Sequence, residues 1–302
     1  MTPRAKSAFL SVTAALIWGT AFVGQSTLAD VFPPLAINAM RGVIASFTLL
    51  LAIYLARRLA RRRGLTPPAQ DKKHLFGGGI AAGVVLTVAA NLQQAGLAYT
   101  SAGKASFITA LYIVLVPLCG LLTGRRCSRR VLFAVALAGV GLYLISVQGG
   151  FAVEKGDFLV FLCALCFTAH ILVIDRFSKG TDGLCFSCVQ FATSAVLSGL
   201  FSLWTERVTL PAVSPAAWLL PLLYIGIFSS GIAYTLQILA QKDGDPTVVS
   251  LLLSLESVFG ALSGAILLHE RMTPREVVGC LLMFLAVLLA QIPEKKKDAP
   301  SV

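Results

Sequence analysis

The chain has 302 residues, of which 57% are hydrophobic and only 13% charged. Soluble domains carry about 25% charged residues, so this composition leaves too few charges to cover a water-soluble fold, and it excludes a disordered chain, a coiled coil and a secreted disulfide scaffold. The formal net charge of +11 would point to nucleic acid in a soluble protein; here its placement along the chain reads differently.

A helix crosses the hydrocarbon core with about 20 apolar residues, and ten such stretches follow one another. The first, Ala8–Leu28, holds Trp18 mid-span and Gln25 in its outer third. The second, Pro34–Leu55, contains Arg41. The third, Leu75–Ala95, carries Gly83, Thr87, Asn91 and Gln94 at spacings that put them on one helical face. The fourth, Lys104–Thr123, holds Tyr112 and the pair Gly120/Gly124; the fifth is Val131–Val147. The sixth, Asp157–Ile174, contains Cys163, Cys166 and His170, and the seventh, Leu184–Trp204, opens on Cys185 and Cys188. The eighth, Pro215–Ala240, repeats the stripe as Gly226, Ser230, Tyr234 and Gln237. The ninth, Thr247–Leu268, places Glu256 midway beside Ser250, Ser254 and Ser257 and carries Gly260/Gly264; the tenth is Val277–Gln291. None alternates in polarity as a transmembrane β-strand does, and hydrocarbon offers no partner to an unpaired backbone, so all ten read as helices.

The basic residues set the orientation. One set of ends carries Arg4, Lys6, the run from Arg57 to Arg63, Lys72, Lys73, Arg125, Arg126, Arg129, Arg130, Arg176, Lys179, Lys242 and Lys295–Lys297. The other carries only Lys104, Lys155, Arg207, Arg271 and Arg275. Positive residues stay inside, so both termini are expected in the cytoplasm. The net charge becomes a topology signal, and no nucleic-acid partner is expected. The first stretch is longer than a signal-peptide core and reads as a retained helix. The expected location is the inner (cytoplasmic) membrane, multi-pass.

The spans read as five taken twice, residues 1–147 and 148–292, followed by a polar cytoplasmic tail, 293–302. Because five is odd, the second set runs through the membrane in the opposite sense. The expected fold is thus an all-α membrane protein of ten transmembrane helices in two inverted five-helix repeats, an arrangement that in carriers puts the substrate site near the midplane between repeats. The GxxxG pairs read as close-packing positions.

Polar groups at bilayer depth are costly and often functional. Glu256 is the candidate substrate or proton site, with Arg41 a possible partner nearer the outer surface or a locally snorkelling side chain. Asn91 and Gln94, and Tyr234 and Gln237, are candidate cavity-lining groups, with interhelical hydrogen bonding as the alternative. Trp18, Tyr112 and Gln25 are candidates for the same cavity, and His170 is a candidate proton relay or a structural histidine. The CxxC pairs at Cys163/Cys166 and Cys185/Cys188 have zinc-like spacing, but Cys163 lies roughly 16 Å into its helix, too deep to converge with Cys185 on one ion. No metal or cofactor is expected. No hydrolase elbow, phosphate loop or HExxH motif occurs, so an enzyme is not expected.

The residues LIWGTAFVGQ in the first span, NAMRG around Arg41, NLQQAGLAYTSAGKASFITALYIVLVPL over 91–118 and HERMT after the ninth, in that order and with this hydropathy, resemble the drug/metabolite transporter superfamily, EamA type. The resemblance implies a carrier with alternating access around a central cavity between inverted halves. One departure stands out: the sixth span, FLCALCFTAHILV, has no counterpart to Trp18. The expected activity is secondary transport, with export the expected direction, of a small organic solute such as an amino acid, metabolite or drug. Proton coupling is one form and facilitative exchange without protons the alternative; a membrane scaffold or sensor is the non-transport rival. The expected partners are the substrate and the lipid bilayer, with the protein a monomer or homodimer.

Overall fold

A computed structural model describes the chain except residues 1, 66–69, 101, 123, 125–126, 147–153, 210–212, 268–271 and 293–302. The tail, Arg125, Arg126, Arg271, Lys295–Lys297, most of the HERMT turn and the side chain of Lys104 therefore lie outside the described residues, as do the surroundings of Gly264. The described helices are α1 (Pro3–Ala29), α2 (Pro34–Arg62), α3 (Gly79–Leu97), α4 (Ala102–Thr109), α5 (Tyr112–Leu122), α6 (Arg129–Ser146), α7 (Lys155–Phe177), α8 (Gly183–Thr205), α9 (Pro215–Tyr224), α10 (Tyr234–Asp243), α11 (Pro246–Leu253), α12 (Glu256–Leu267) and α13 (Pro274–Gln291). Wide π-turns precede α3 at His74–Gly78 and join α9 to α10 at Ile225–Ala233.

Nine helical stretches among the described residues are long and apolar enough to cross a membrane. The 18-residue α6 packs along α13 and brings the spans to ten. The protein's polarity is inverted relative to a soluble fold: Leu122 is 87% exposed and Leu203 85%, whereas Gln190, Ser230, Ser250 and Gln241 are fully buried. Lipid is the solvent that tolerates such a surface. Helix starts are set by local chemistry. Asp182, Asp245 and Thr273 accept backbone N–H bonds at the starts of α8, α11 and α13, and Pro3, Pro34, Pro215, Pro246 and Pro274 occupy first-turn positions whose missing N–H costs nothing. The N-terminus of α2 has no local cap; the Glu206 carboxylate, at the end of α8, accepts from Leu35 N and Ala36 N, both at 2.9 Å.

The two halves are related by their packing. Numbering the spans in order, the second packs on the seventh, the fifth on the tenth and the fourth on the ninth, each against its own counterpart. The first span packs on the eighth and ninth, and its counterpart, the sixth, packs on the third and fourth. Small residues permit this closeness. A Cβ on Gly83 would lie 2.6 Å from Gln190 O of the seventh span, and one on Gly226 would lie 2.6 Å from Ile44 Cγ2 of the second. These stripe glycines are points of contact between repeats. Of the GxxxG pairs, Gly260 faces α1 across Gly19 O, whereas Gly124 has φ +79° in the turn after α5 and packs nothing within 4 Å.

Two expected spans are not continuous. The fourth breaks at Ala110–Leu111 and the ninth at Ser254–Leu255. Leu111 N bonds Ile108 O and Ile113 N bonds Ala110 O, each spanning three residues; 144 positions later Leu255 N bonds Leu252 O and Ser257 N bonds Ser254 O in the same pattern. Each break follows an eight-residue half-helix, about 12 Å at 1.5 Å per residue, which sets it near the middle of a hydrocarbon core of about 30 Å.

Candidate functional site

The paired breaks place Tyr112 and Glu256 as the first residues of α5 and α12. The Tyr112 hydroxyl donates to Glu256 Oε1 at 3.0 Å, and both side chains are buried. Beside them, Ser106 and Ser257 hydroxyls lie 2.9 Å apart. Among the described residues no cation pairs with Glu256.

Tyr112 and Glu256 line a cavity of about 40 Å³. Its walls include the aromatic rings of Trp18, Phe22, Phe167 and Tyr234, and Trp18 meets Tyr234 edge-on with ring centres 4.8 Å apart. Gln25, Gln93, Thr109 and Gln237 add polar groups. Gln93 Nε2 donates to Thr109 Oγ1 at 3.1 Å, and Gln237 Oε1 has no partner among the described residues. The same lining includes Arg41, 6% exposed, about 10 Å along α2 from Pro34. Its guanidinium donates to Ser230 Oγ (2.8 Å), Gln25 Oε1 (3.2 Å) and Ser229 Oγ (3.4 Å), all neutral acceptors. No carboxylate pairs with it among the described residues. Both serines sit in the π-turn Ile225–Ala233, and the Ser229 carbonyl also accepts from Trp18 Nε1 at 3.0 Å. The wide turn presents backbone and hydroxyl oxygens that a regular helix would keep to itself.

Six of the sequence-selected residues thus line one cavity: Trp18, Gln25, Tyr112, Tyr234, Gln237 and Glu256. Asn91 lies elsewhere, in a polar knot between the second, third and seventh spans, where it accepts from Asn38 Nδ2 (2.9 Å) and donates to Ser198 Oγ (3.0 Å) and Thr87 O (2.8 Å). Gln94 donates to Gln25 O at 3.1 Å and braces the α1 backbone without lining the cavity. His170 is buried behind the wall, 3.1 Å from Gln190 Oε1 and edge-on to Tyr234. Arg41, a possible partner of Glu256 or a snorkelling or locally paired side chain by sequence, lines the cavity and bonds Gln25, Ser229 and Ser230, with no ion pair to Glu256 among the described residues. Gln93 and Ser229 were not foreseen; the π-turn that exposes Ser229 has no sequence mark beyond the small residues Ser229, Ser230 and Gly231. Among the described residues no group of three potential ligands is placed to hold a metal, and the four CxxC cysteines are free thiols.

A second cavity, of about 420 Å³, lies at the arginine-rich end, between the starts of α1, α6 and α11 and the ends of α5 and α13. The two cavities are in series. On α5 the second ends at Val116 and the first begins at Tyr112, one turn away; on α7 they divide between Leu172 and Ile171. Ile113, Leu251 and Leu252, between the two on the chain, are buried. At the rim, Arg4 Nη2 donates to Ala290 O at 2.7 Å and Lys6 pairs with Asp243 at 2.9 Å.

These features define a polytopic membrane protein of two inverted helical repeats with a polar cavity at the midplane between them. The model of the EamA-like transporter family matches residues 5–147 and again 154–291, and the chain belongs to that family, whose members are transporters and not enzymes. It is 30% identical to an uncharacterized transporter of Archaeoglobus fulgidus over 92% of this chain and 83% of that protein. It is 22% identical to the uncharacterized transporter YvbV of Bacillus subtilis over 99% and 96%. One crystal structure superimposes with a TM-score of 0.73 at 20% identity, over 95% of this chain and 96% of the other, a likeness that concerns the fold.

Proposed function

We propose that this transporter moves a small organic solute across the cytoplasmic membrane by alternating access around the Arg41–Glu256 cavity, with export as the direction and both termini in the cytoplasm. The observation that carries the reading is the Tyr112–Glu256 contact at the paired helix breaks. Broken helices in corresponding positions of two repeats mark carrier binding sites, because half-helix ends supply polar groups where continuous helices supply none. At about 40 Å³ the cavity holds water but no organic solute, so the conformation described is a closed one, and occupancy requires the repeats to separate.

The cavity is bipolar. A guanidinium with neutral partners suits a carboxylate, and a carboxyl without a cation suits an ammonium group; the aromatic walls suit an apolar body. An α-amino acid has all three. A midplane carboxyl cannot stay ionised and unpaired without large cost, so Glu256 is held either by a proton or by the solute's cation. Exchange of one for the other couples solute export to proton entry. Under the positive-inside orientation the larger cavity at the basic end is the cytoplasmic vestibule of the pathway.

The experiment is counterflow in liposomes loaded with unlabelled solute. Labelled α-amino acids are expected to accumulate transiently, and their decarboxylated amines and deaminated acids are not. Equal counterflow of all three classes would overturn the bipolar reading; counterflow of none of the amino acids would remove the substrate class.

A further inference from the structure

We infer that the arginine face at the end of α2 is a binding site for an anionic glycerophospholipid carrying two phosphates. The 29 residues of α2 span about 43 Å at 1.5 Å per residue, against a hydrocarbon core of about 30 Å. Counted from Pro34, about 20 residues fill the core, which ends near Tyr54; Arg57 to Arg62 then lie at headgroup level. An open hollow of about 620 Å³ lies along this face, lined by α2 alone. Its upper part is Leu50, Ile53 and Tyr54, and its lower part Arg57, Arg58, Arg61 and Arg62, with no acidic side chain in the lining. The spacings of three and four put all of them on one side of the helix. Leu50 and Tyr54 are more than half exposed and face the acyl region.

The occupant follows from the charges and the depth. Arg57 Nη2 donates to Cys185 Sγ at 3.5 Å, which ties that side chain to α8. Among the described residues none of the four arginines has a carboxylate partner. Guanidinium groups bind phosphate through paired N–H bonds, and basic pockets at this level of a membrane protein receive anionic headgroups. The arginines form two neighbouring pairs, Arg57/Arg61 and Arg58/Arg62, each four residues or about 6 Å apart along the axis. Two phosphates bridged by one glycerol occupy both pairs, while their acyl chains run along Leu50, Ile53 and Tyr54. Under the orientation proposed above, the leaflet is the cytoplasmic one.

The test is lipid titration of the purified full-length protein in neutral detergent, read by native mass spectrometry and by thermal unfolding. Diphosphatidylglycerol is expected to bind saturably and at least tenfold more tightly than phosphatidylglycerol, with no saturable binding of phosphatidylcholine. The variant R57Q/R58Q/R61Q/R62Q is expected to lose at least tenfold in affinity; the control K72Q/K73Q/R176Q/K179Q, which removes as many charges elsewhere at the same end, is expected to stay within twofold. If the fourfold variant does not fold, R61Q/R62Q at the exposed helix end serves instead, with a loss of threefold or more. Equal losses in the α2 and control variants would overturn the proposal in favour of diffuse attraction. Equal protection by inorganic phosphate would replace the lipid with a free anion, and a lipid-independent dimer that the α2 variant dissociates would make the occupant a second copy. The readout is binding, so its failure is separate from any failure of the transport reading.

Discussion

Tyr112 and Glu256 stand at equivalent places, 144 residues apart, each the first residue after a break in a transmembrane helix, and they hydrogen-bond to one another at 3.0 Å. The bond therefore joins the two repeats at the midplane. Tyr112→Phe keeps the ring and removes the donor. Leaving a buried acceptor without its partner costs about 1–3 kcal/mol. We expect transport to fall at least tenfold while the purified variant remains folded, with its unfolding midpoint lowered. Unchanged transport rates in liposomes would show that the contact plays no part in the cycle.

Arg41 tests the cationic part of the cavity lining. Arg41→Lys keeps a charge but cannot reproduce the three-way contact with Gln25, Ser229 and Ser230, because a compact ammonium lacks the planar fork. Its apparent KM for a carboxylate-bearing solute is expected to rise about tenfold. Arg41→Gln is expected to lose saturable transport altogether. Both are read by initial-rate uptake; identical KM values in the lysine variant and the parent would contradict the assignment.

Gly19 tests how closely the repeats must approach. A Cβ there would lie 2.6 Å from Glu256 O and 2.7 Å from Gly260 N, both backbone atoms that cannot swing aside. Gly19→Ala is expected to destabilise by about 1–3 kcal/mol, the usual range for overpacking, and to shift Glu256. Thermal unfolding of the purified variant checks the first, and loss of transport the second.

Glu206 provides a test independent of the cavity. Its carboxylate caps α2 from the end of α8, joining the second span to the seventh. Glu206→Ala is expected to cost about 0.5–2 kcal/mol, as loss of an N-cap does. Because the cap lies away from the cavity, KM is expected to stay within twofold. Unaltered stability would mean that lipid or water replaces the carboxylate.

The spans, the five-plus-five organisation and part of the cavity wall were legible because each leaves a local mark. A run of apolar residues marks a helix, and Trp18, Tyr112, Tyr234, Gln237 and Glu256 are conspicuous at bilayer depth. The helix breaks were not legible, because Ala110–Leu111 and Ser254–Leu255 are residues that propagate a helix elsewhere; no Gly or Pro stands at either site. In the ninth span, Ser250 and Ser254 hydroxyls bond back to Thr247 O and Leu251 O, and such local bonds compete with the helical ladder. The stripe spacing in the third span selected Gln94, whereas its neighbour Gln93 lines the cavity and Asn91 joins the knot with Asn38 and Ser198. Adjacent helical positions differ by about 100° around the axis, and the polar face of this helix serves two neighbours at once. Arg41 depends on partners in the eighth span, which no pattern within the second span reveals.

The central claim is that solute and proton compete for Glu256. The most direct measurement is uptake into liposomes driven by an imposed pH gradient, comparing the parent protein with Glu256→Gln and following solute counterflow without a gradient in the same preparations. The account predicts that the glutamine variant loses gradient-driven accumulation while remaining folded, with any residual counterflow independent of pH. Full gradient-driven accumulation by Glu256→Gln would contradict it.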